Sequence, residues 1–325
     1  MTSRLAALLL MTLPALLGQD RAAWQSAPPL PRPMAAFAMG VESSGSVVVV
    51  GGSYWQDSAR QLAPEIWQLA PGDKAWRRVG SLPTGLAYAA TATDREYLWV
   101  AGGVTPDGLD NAVRCVDLRT GQVRTIATLP APRSHAGATV HHGRLWILGG
   151  LQRASDLTSA DAAFLVVDLT TGEIRSLPPP PIDHVINPAL VPAAERLWVF
   201  PGSRRPPGTT GLHTFEHALE FDPATETWLQ HPLRNSLPRG LAVAAISDST
   251  VWLAGGVDVR TDAPARISDR SWLYDLKAHT LREGPRLPGP RLAFGWAKQG
   301  QSIILAGGEP ASGQRTDAVS THPLP

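Results

Sequence analysis

The sequence predicts an all-β chain folded as a six-bladed β-propeller, and three observations carry that reading. An apolar run stopped by paired glycines, with Pro201-Gly202 in their place in the fourth unit, returns six times, as VVVVGG ending at Gly52, LWVAGG at Gly103, LWILGG at Gly150, LWVFPG at Gly202, VWLAGG at Gly256 and IILAGG at Gly308. A period near fifty residues belongs to a propeller or a repeat array. Each unit also divides into four short strand-like segments with turn chemistry between them. Finally, the last unit runs out of chain before its fourth segment, while a fourth segment without a blade stands at the opposite end, where Trp24 is followed six residues later by Leu30-Pro31. The N-terminal segment is therefore expected to complete the last blade and close the ring, which removes two open sheet edges.

Within a unit, the first strand is rich in Ala and Gly, as in HAGATV at 135–140 and LAVAAI at 241–246. The second ends in the diglycine, where a close backbone approach or a positive φ suits glycine. The third ends in Asp: CVDL at 115–118, VVDL at 166–169, EFDP at 220–223 and LYDL at 273–276. Asp117, Asp168, Asp222 and Asp275 enter polar hairpins such as TTGE at 170–173. A carboxylate there bonds nearby backbone N–H groups, so the four are structural. The fourth strand opens on a large apolar residue and reaches Leu-Pro six positions later, as from Trp76 to Leu82-Pro83 and from Leu281 to Leu287-Pro288.

Composition narrows the function classes. The 325 residues hold 30 Gly and 30 Pro, which fits short strands and many turns. With 29 basic and 28 acidic residues the net charge is +1, so no global field favours nucleic acid or an anionic membrane. Cys115 is the only cysteine, which excludes an internal disulfide and a Cys-based metal cluster. Residues 1–23 read as a signal peptide: Arg4 is the positive region, Leu5–Leu17 the apolar stretch, and cleavage falls near Gly18 or Ala23. The expected location is the bacterial periplasm or the exterior, with residues 24–325 as one propeller domain and no membrane span.

Diglycine, fourth-strand Trp, Leu-Pro and a following Arg together resemble the kelch repeat over about residues 24–325. That resemblance implies a propeller and leaves function open, because function lives in sites grafted on the fold. A second resemblance is local. Gly308-Glu309, three residues, Gly313, one residue and then Arg315-Thr316-Asp317-Ala318-Val319 is similar to the GE-xxx-G-x-RTDAV segment of the sialic acid mutarotases, the N-acetylneuraminate epimerases. It implies a secreted sugar mutarotase in which Glu309 is the acid/base carboxylate and Arg315 binds the sugar carboxylate; the alternative for the two residues is a loop salt bridge with no part in chemistry. The family carries this segment in an interior blade, whereas here it lies in the last one, and blade four reads PGSRRPPGTTG with Ser203 at the corresponding place.

Propeller geometry puts residues after the diglycines and after the Leu-Pro pairs on one rim. Besides Glu309 and Arg315, the candidates there are Arg32, Arg133, His135, His184, Arg239 and Arg291. Converging guanidinium groups suit a carboxylate or phosphate, and they are expected to depress the pKa of Glu309 at the channel mouth. Arg133, Arg239 and Arg291 also admit a structural reading, in which arginines after Leu-Pro bond neighbouring carbonyls in every repeat. Anomerisation protonates the ring oxygen and deprotonates the anomeric hydroxyl, then reverses; a carboxylate serves as one partner, and His135, His184 or water as the other. No metal or organic cofactor is required. A galactose-oxidase-like copper site needs a Tyr–Cys pair, and the lone Cys115 sits on a third strand. The alternative reading is a non-catalytic secreted binder of glycans or proteins, with long loops at Ser203–His217 and Val257–Arg270 as its contact surface.

Overall fold

The computed structural model describes residues 24–206, 208–233, 237–260 and 263–325. The leader read at residues 1–23 lies outside them. Among the described residues there are six four-stranded antiparallel sheets, and each is a blade. Blade one comprises Ala38–Val41, Val47–Val50, Glu65–Leu69 and Arg77–Ser81. Blade two comprises Ala90–Thr93, Tyr97–Thr105, Gly108–Asp117 and Val123–Thr128. Blade three is Gly137–His141, Arg144–Leu148, Phe164–Asp168 and Ile174–Leu177; blade four is Ala189–Ala193, Arg196–Phe200, His217–Asp222 and Thr227–Pro232. Blade five is Ala242–Ser247, Thr250–Ala254, Ser271–Asp275 and Thr280–Glu283.

Blade six is built from both ends of the described chain. Gly295–Gln299, Ser302–Ala306 and Val319–Pro323 supply three strands, and Gln25–Ala27 supplies the outer one. The register pairs Gln25 with Thr321, Ser26 with Ser320 and Ala27 with Val319. The Trp24 indole N–H donates to the Arg286 carbonyl at 2.6 Å, and its ring lies 4.9 Å from that of His322. Regular strand pairing covers Gln25–Ala27, with Trp24 as its anchor, and the segment read as pairing, 24–31, holds the same blade again at Leu30, whose N–H donates to the Asp317 carbonyl at 2.8 Å.

The innermost strands pack in a closed cycle, each on the next and the sixth on the first. Backbone bonds reinforce it. The residue two positions before each innermost strand is left-handed, with φ of 55° at Ala36, 56° at Tyr88, 58° at His135, 49° at Asn187, 68° at Gly240 and 49° at Ala293. The Ala36 N–H donates to the Ala293 carbonyl, Tyr88 to Ala36, His135 to Tyr88 and Asn187 to His135, at 2.7–3.0 Å. These bonds run round the rim from blade six through blade one to blade four.

The repeat's signature residues do what their chemistry dictates. The N–H of the second glycine donates to the backbone entering the next blade: Gly52 to Leu86, Gly103 to Arg133, Gly150 to Val185, Gly256 to Arg291 and Gly308 to Met34. A Cβ on Gly307 would meet the Met34 carbonyl at 2.5 Å, so the blade seam requires glycine there. Asp117 Oδ1 accepts from the N–H groups of Arg119 and Thr120, and Asp168 and Asp275 repeat the arrangement. Second-strand Trp99, Trp146, Trp198 and Trp252 are buried in the apolar layers between blades.

Both segments expected to be long loops instead carry strand pairs on the rim. Val185–Ile186, Ser203–Arg204 and His213–Thr214 form a three-stranded sheet, and Val257–Arg260 pairs with Ala263–Ile267. A third such hairpin, Ser53–Gln56 with Ala59–Leu62, follows the first diglycine. Among the described residues no helix is long and apolar enough to cross a membrane.

Candidate functional site

The residue after each diglycine faces the same rim, and across the blades that position is Ser53, Val104, Leu151, Ser203, Val257 and Glu309. Glu309 is the one ionisable residue among them, so the repeat does not account for it. Its backbone is locked to Leu292, which donates to its carbonyl at 3.0 Å and accepts its N–H at 2.8 Å. The following loop returns to the same point through a Thr316 N–H bond to the Gly308 carbonyl at 3.0 Å. That return places Arg315 Nη1 2.9 Å from Glu309 Oε1, with side chains only 5% and 16% exposed. Arg315 Nη1 also donates to the Gln314 carbonyl at 3.0 Å, while its Nε is buried without a partner. Burial pushes the Glu309 carboxyl above its ordinary value, and the Arg315 charge offsets this only in part. The depression expected from a ring of rim arginines is therefore reversed.

The reason lies in where those arginines go. Arg133 and Arg291 are buried, and each sends Nη1 to the first diglycine carbonyl of its own blade, Gly149 at 2.7 Å and Gly307 at 3.0 Å. Arg133 also pairs with Asp161 at 3.2 Å, and Arg291 donates to the Ala318 carbonyl at 3.1 Å. Arg239 donates to the Leu212 carbonyl at 3.1 Å. All three adopt the structural role open to them from the repeat pattern, and their charge meets carbonyl dipoles, with the Asp161 carboxylate added at Arg133, rather than a shared opening. Arg32 is held by Glu65 at 2.7 Å and lies 4.4 Å over the Tyr54 ring. His184 Nδ1 is 2.9 Å from the Ala160 carbonyl.

The hairpin 53–62 joins Glu309 and Arg315 to His135. Trp55 and Arg60 stand opposite each other in its register. On one side the Arg315 guanidinium lies 5.9 Å from the Trp55 ring centre, and Trp55 itself is 45% exposed. On the other, Arg60 lies 5.9 Å from the Tyr88 ring, which stacks on His135 at 4.7 Å and 20°. His135 Nδ1 is 2.9 Å from Ser134 Oγ. Burial, and secondarily the Arg60 charge, lowers the His135 pKa to about 4, so the imidazole is neutral at pH 7. The rim thus presents a half-exposed indole with an arginine on either side, a half-buried carboxyl with raised pKa at one end and a neutral imidazole at the other.

Trp55 and Arg60 were not among the residues expected from sequence. The one available signal was an aromatic in the polar run YWQDSARQ, directly after a diglycine. A central cavity of about 480 Å³ runs between the innermost strands, from Phe37 and Phe294 near the rim to Glu42, Arg95 and Lys298 at the far mouth. Glu309 and Arg315 are not among its lining residues, so the pair sits beside the channel.

No family model matches the chain. Kelch-like protein 40 of Mus musculus is 29% identical over 146 residues, 45% of this chain and 23% of that protein. Alpha-scruin of Limulus polyphemus is 23% identical over 225 residues, 67% of this chain and 18% of that protein. N-acetylneuraminate epimerase 1 of Escherichia coli O6:H1 is 30% identical over 110 residues, 28% of each. The chain spans less than a quarter of the first two relatives. With the six sheets and their diglycine seams, these similarities mark a kelch-type β-propeller.

Proposed function

We propose that the protein is an exported carbohydrate mutarotase acting on an acidic sugar of the sialic acid type, with Glu309 as the acid/base group. The observation that carries this reading is the half-buried Glu309–Arg315 pair beside the half-exposed Trp55. A carboxyl with a raised pKa exchanges protons nearer neutral pH than an ordinary one, which general acid–base catalysis needs. The substrate's carboxylate has the exposed Arg60 to bind, with Arg315 beside the Trp55 indole as a second guanidinium. The apolar face of a pyranose stacks on Trp55. Similarity to N-acetylneuraminate epimerase 1 supports the substrate class.

The reaction balances without an outside reagent. Protonation of the ring oxygen and removal of the anomeric hydroxyl proton break the ring C–O bond and leave an open-chain ketone. Rotation about the neighbouring C–C bond and closure in the reverse proton sequence give the other anomer. Glu309 exchanges one of the two protons, and neutral His135 or water the other.

The test is anomer equilibration followed by NMR on freshly dissolved α-anomeric sialic acid, with a neutral hexose as control. Acceleration confined to the acidic sugar supports the assignment. Binding without acceleration favours the second reading, a kelch-type binding module, for which the similarity to Kelch-like proteins and scruins makes a protein ligand the first choice.

A further inference from the structure

We propose that the face opposite the rim carries a divalent transition-metal site made by His141 and His142 of blade three and Glu195 of blade four. One ligand atom from each residue lies within 4.8 Å of the other two, and among the described residues no other group of His, Cys, Asp and Glu meets that condition. His142 Nε2 is 2.7 Å from Glu195 Oε2, although 53 positions separate the residues in sequence. The two imidazole rings are 3.9 Å apart. His141 Nε2 is buried with no hydrogen-bond partner, which is costly unless something else occupies it.

The local backbone holds these groups together. Gly137–His141 and Arg144–Leu148 are joined by His142 and Gly143, with φ of 49° and 67°. Ala189–Ala193 and Arg196–Phe200 are joined by Ala194 and Glu195, with φ of 50° and 60°. Two-residue hairpins of this left-handed kind favour Asn-Gly. Ala and Glu take the same conformation at a steric cost, so turn chemistry does not select Glu195. Neighbouring innermost strands then bring the two tight hairpins side by side.

Two imidazoles and one carboxylate suit Zn²⁺, Ni²⁺ or Co²⁺ rather than Mg²⁺ or Ca²⁺, which prefer all-oxygen sites. Bonds of about 2.0–2.1 Å to a tetrahedral ion need donors nearer together than the widest separation here. His142 and Glu195, at 63% and 74% exposed, are free to rotate inward. The ion would replace the proton shared between them, tie blade three to blade four, and leave a fourth position to water. A second histidine cluster provides the contrast: His231 Nε2 already meets Glu220 at 2.8 Å, and His279 Nδ1 meets the Tyr274 hydroxyl at 3.2 Å.

The experiment is calorimetric titration of Zn²⁺ into untagged, chelator-stripped full chain, repeated on His142→Ala, Glu195→Gln and His231→Ala. The first two changes are at exposed positions, and far-UV circular dichroism checks that each variant keeps the fold. The expected result is one ion per chain, with affinity falling by about tenfold or more in each of the first two variants and unchanged in the third. Zn²⁺ is also expected to raise the melting temperature of the wild type but not of His142→Ala. Absence of saturable binding below about 1 mM Zn²⁺ overturns the site. So does binding that survives either His142→Ala or Glu195→Gln, or that is lost equally in His231→Ala.

Discussion

Replacing Arg315 by Met tests how the rim pair is held. The substitution keeps most of the side-chain volume and removes the charge. It leaves the Glu309 carboxylate, 16% exposed, without its 2.9 Å partner. Losing one member of a fully buried pair costs about 3–5 kcal/mol. Residual exposure of Glu309 brings the expected cost here to roughly 2–3 kcal/mol at pH 7.5. For a domain of this size that is a fall in melting temperature of ~4–6 °C. The cost depends on pH in a definite direction. Glu309 has a folded-state pKa above its unfolded value, so the native state binds the extra proton between those two values. Stability therefore rises as pH falls through that window, and without Arg315 the folded pKa climbs further. The deficit of Arg315→Met is accordingly expected to shrink between pH 7.5 and pH 5. The double variant Glu309→Leu/Arg315→Met, which buries no charge, is expected to regain most of the lost stability. Urea denaturation of the wild type, the two single variants and the double variant measures the coupling. A cost below about 0.5 kcal/mol in Arg315→Met, unchanged at pH 5, would show the pair to be screened by solvent and would refute the reasoning.

Three further outcomes follow from other parts of the molecule. Deleting residues 24–31 exposes the Val319–Pro323 edge and removes the Trp24 anchor, so the melting temperature is expected to drop; an unchanged value contradicts closure by the N-terminal strand. His135, with its pKa lowered to about 4, is expected to titrate near pH 4 by NMR. Its native state binds fewer protons than the unfolded chain from about pH 6.5 down to about 4, so its contribution to stability is lost as pH falls through that range, and titration near 6.5 contradicts its burial. In a bacterial host with a periplasm, the exported chain is expected to begin between residues 19 and 24 by mass spectrometry, and soluble cytoplasmic protein retaining Met1 contradicts export.

The parts of this fold that were legible in the sequence are those that repeat. Diglycines, third-strand Asp residues and Leu-Pro pairs recur because each blade solves the same seam, turn and edge problem. The unpaired fourth segment at Trp24 revealed ring closure by the same logic. The rim hairpins were illegible because each occurs once and is short. Asp57 and Ser58 turn the first of them with φ of 49° and 63°, without the Asn-Gly signature of such a turn. Trp55 and Arg60 were missed for that reason. Glu309 and Arg315 stood out because they broke the repeat. Their mutual contact depends on a loop return that no periodicity encodes. The arginines after Leu-Pro carried both readings in the sequence, and burial against carbonyls separates Arg133 and Arg291 from the exposed Arg60.

Glu309→Gln tests the proposed chemistry most directly. It keeps an acceptor for Arg315 and removes the exchangeable proton. Anomer equilibration of α-sialic acid by NMR, paired with calorimetric measurement of sugar binding, is expected to show acceleration falling by roughly 10²–10⁴-fold with affinity nearly unchanged. Acceleration retained at the wild-type level in Glu309→Gln would contradict the assignment of Glu309 as the acid/base group.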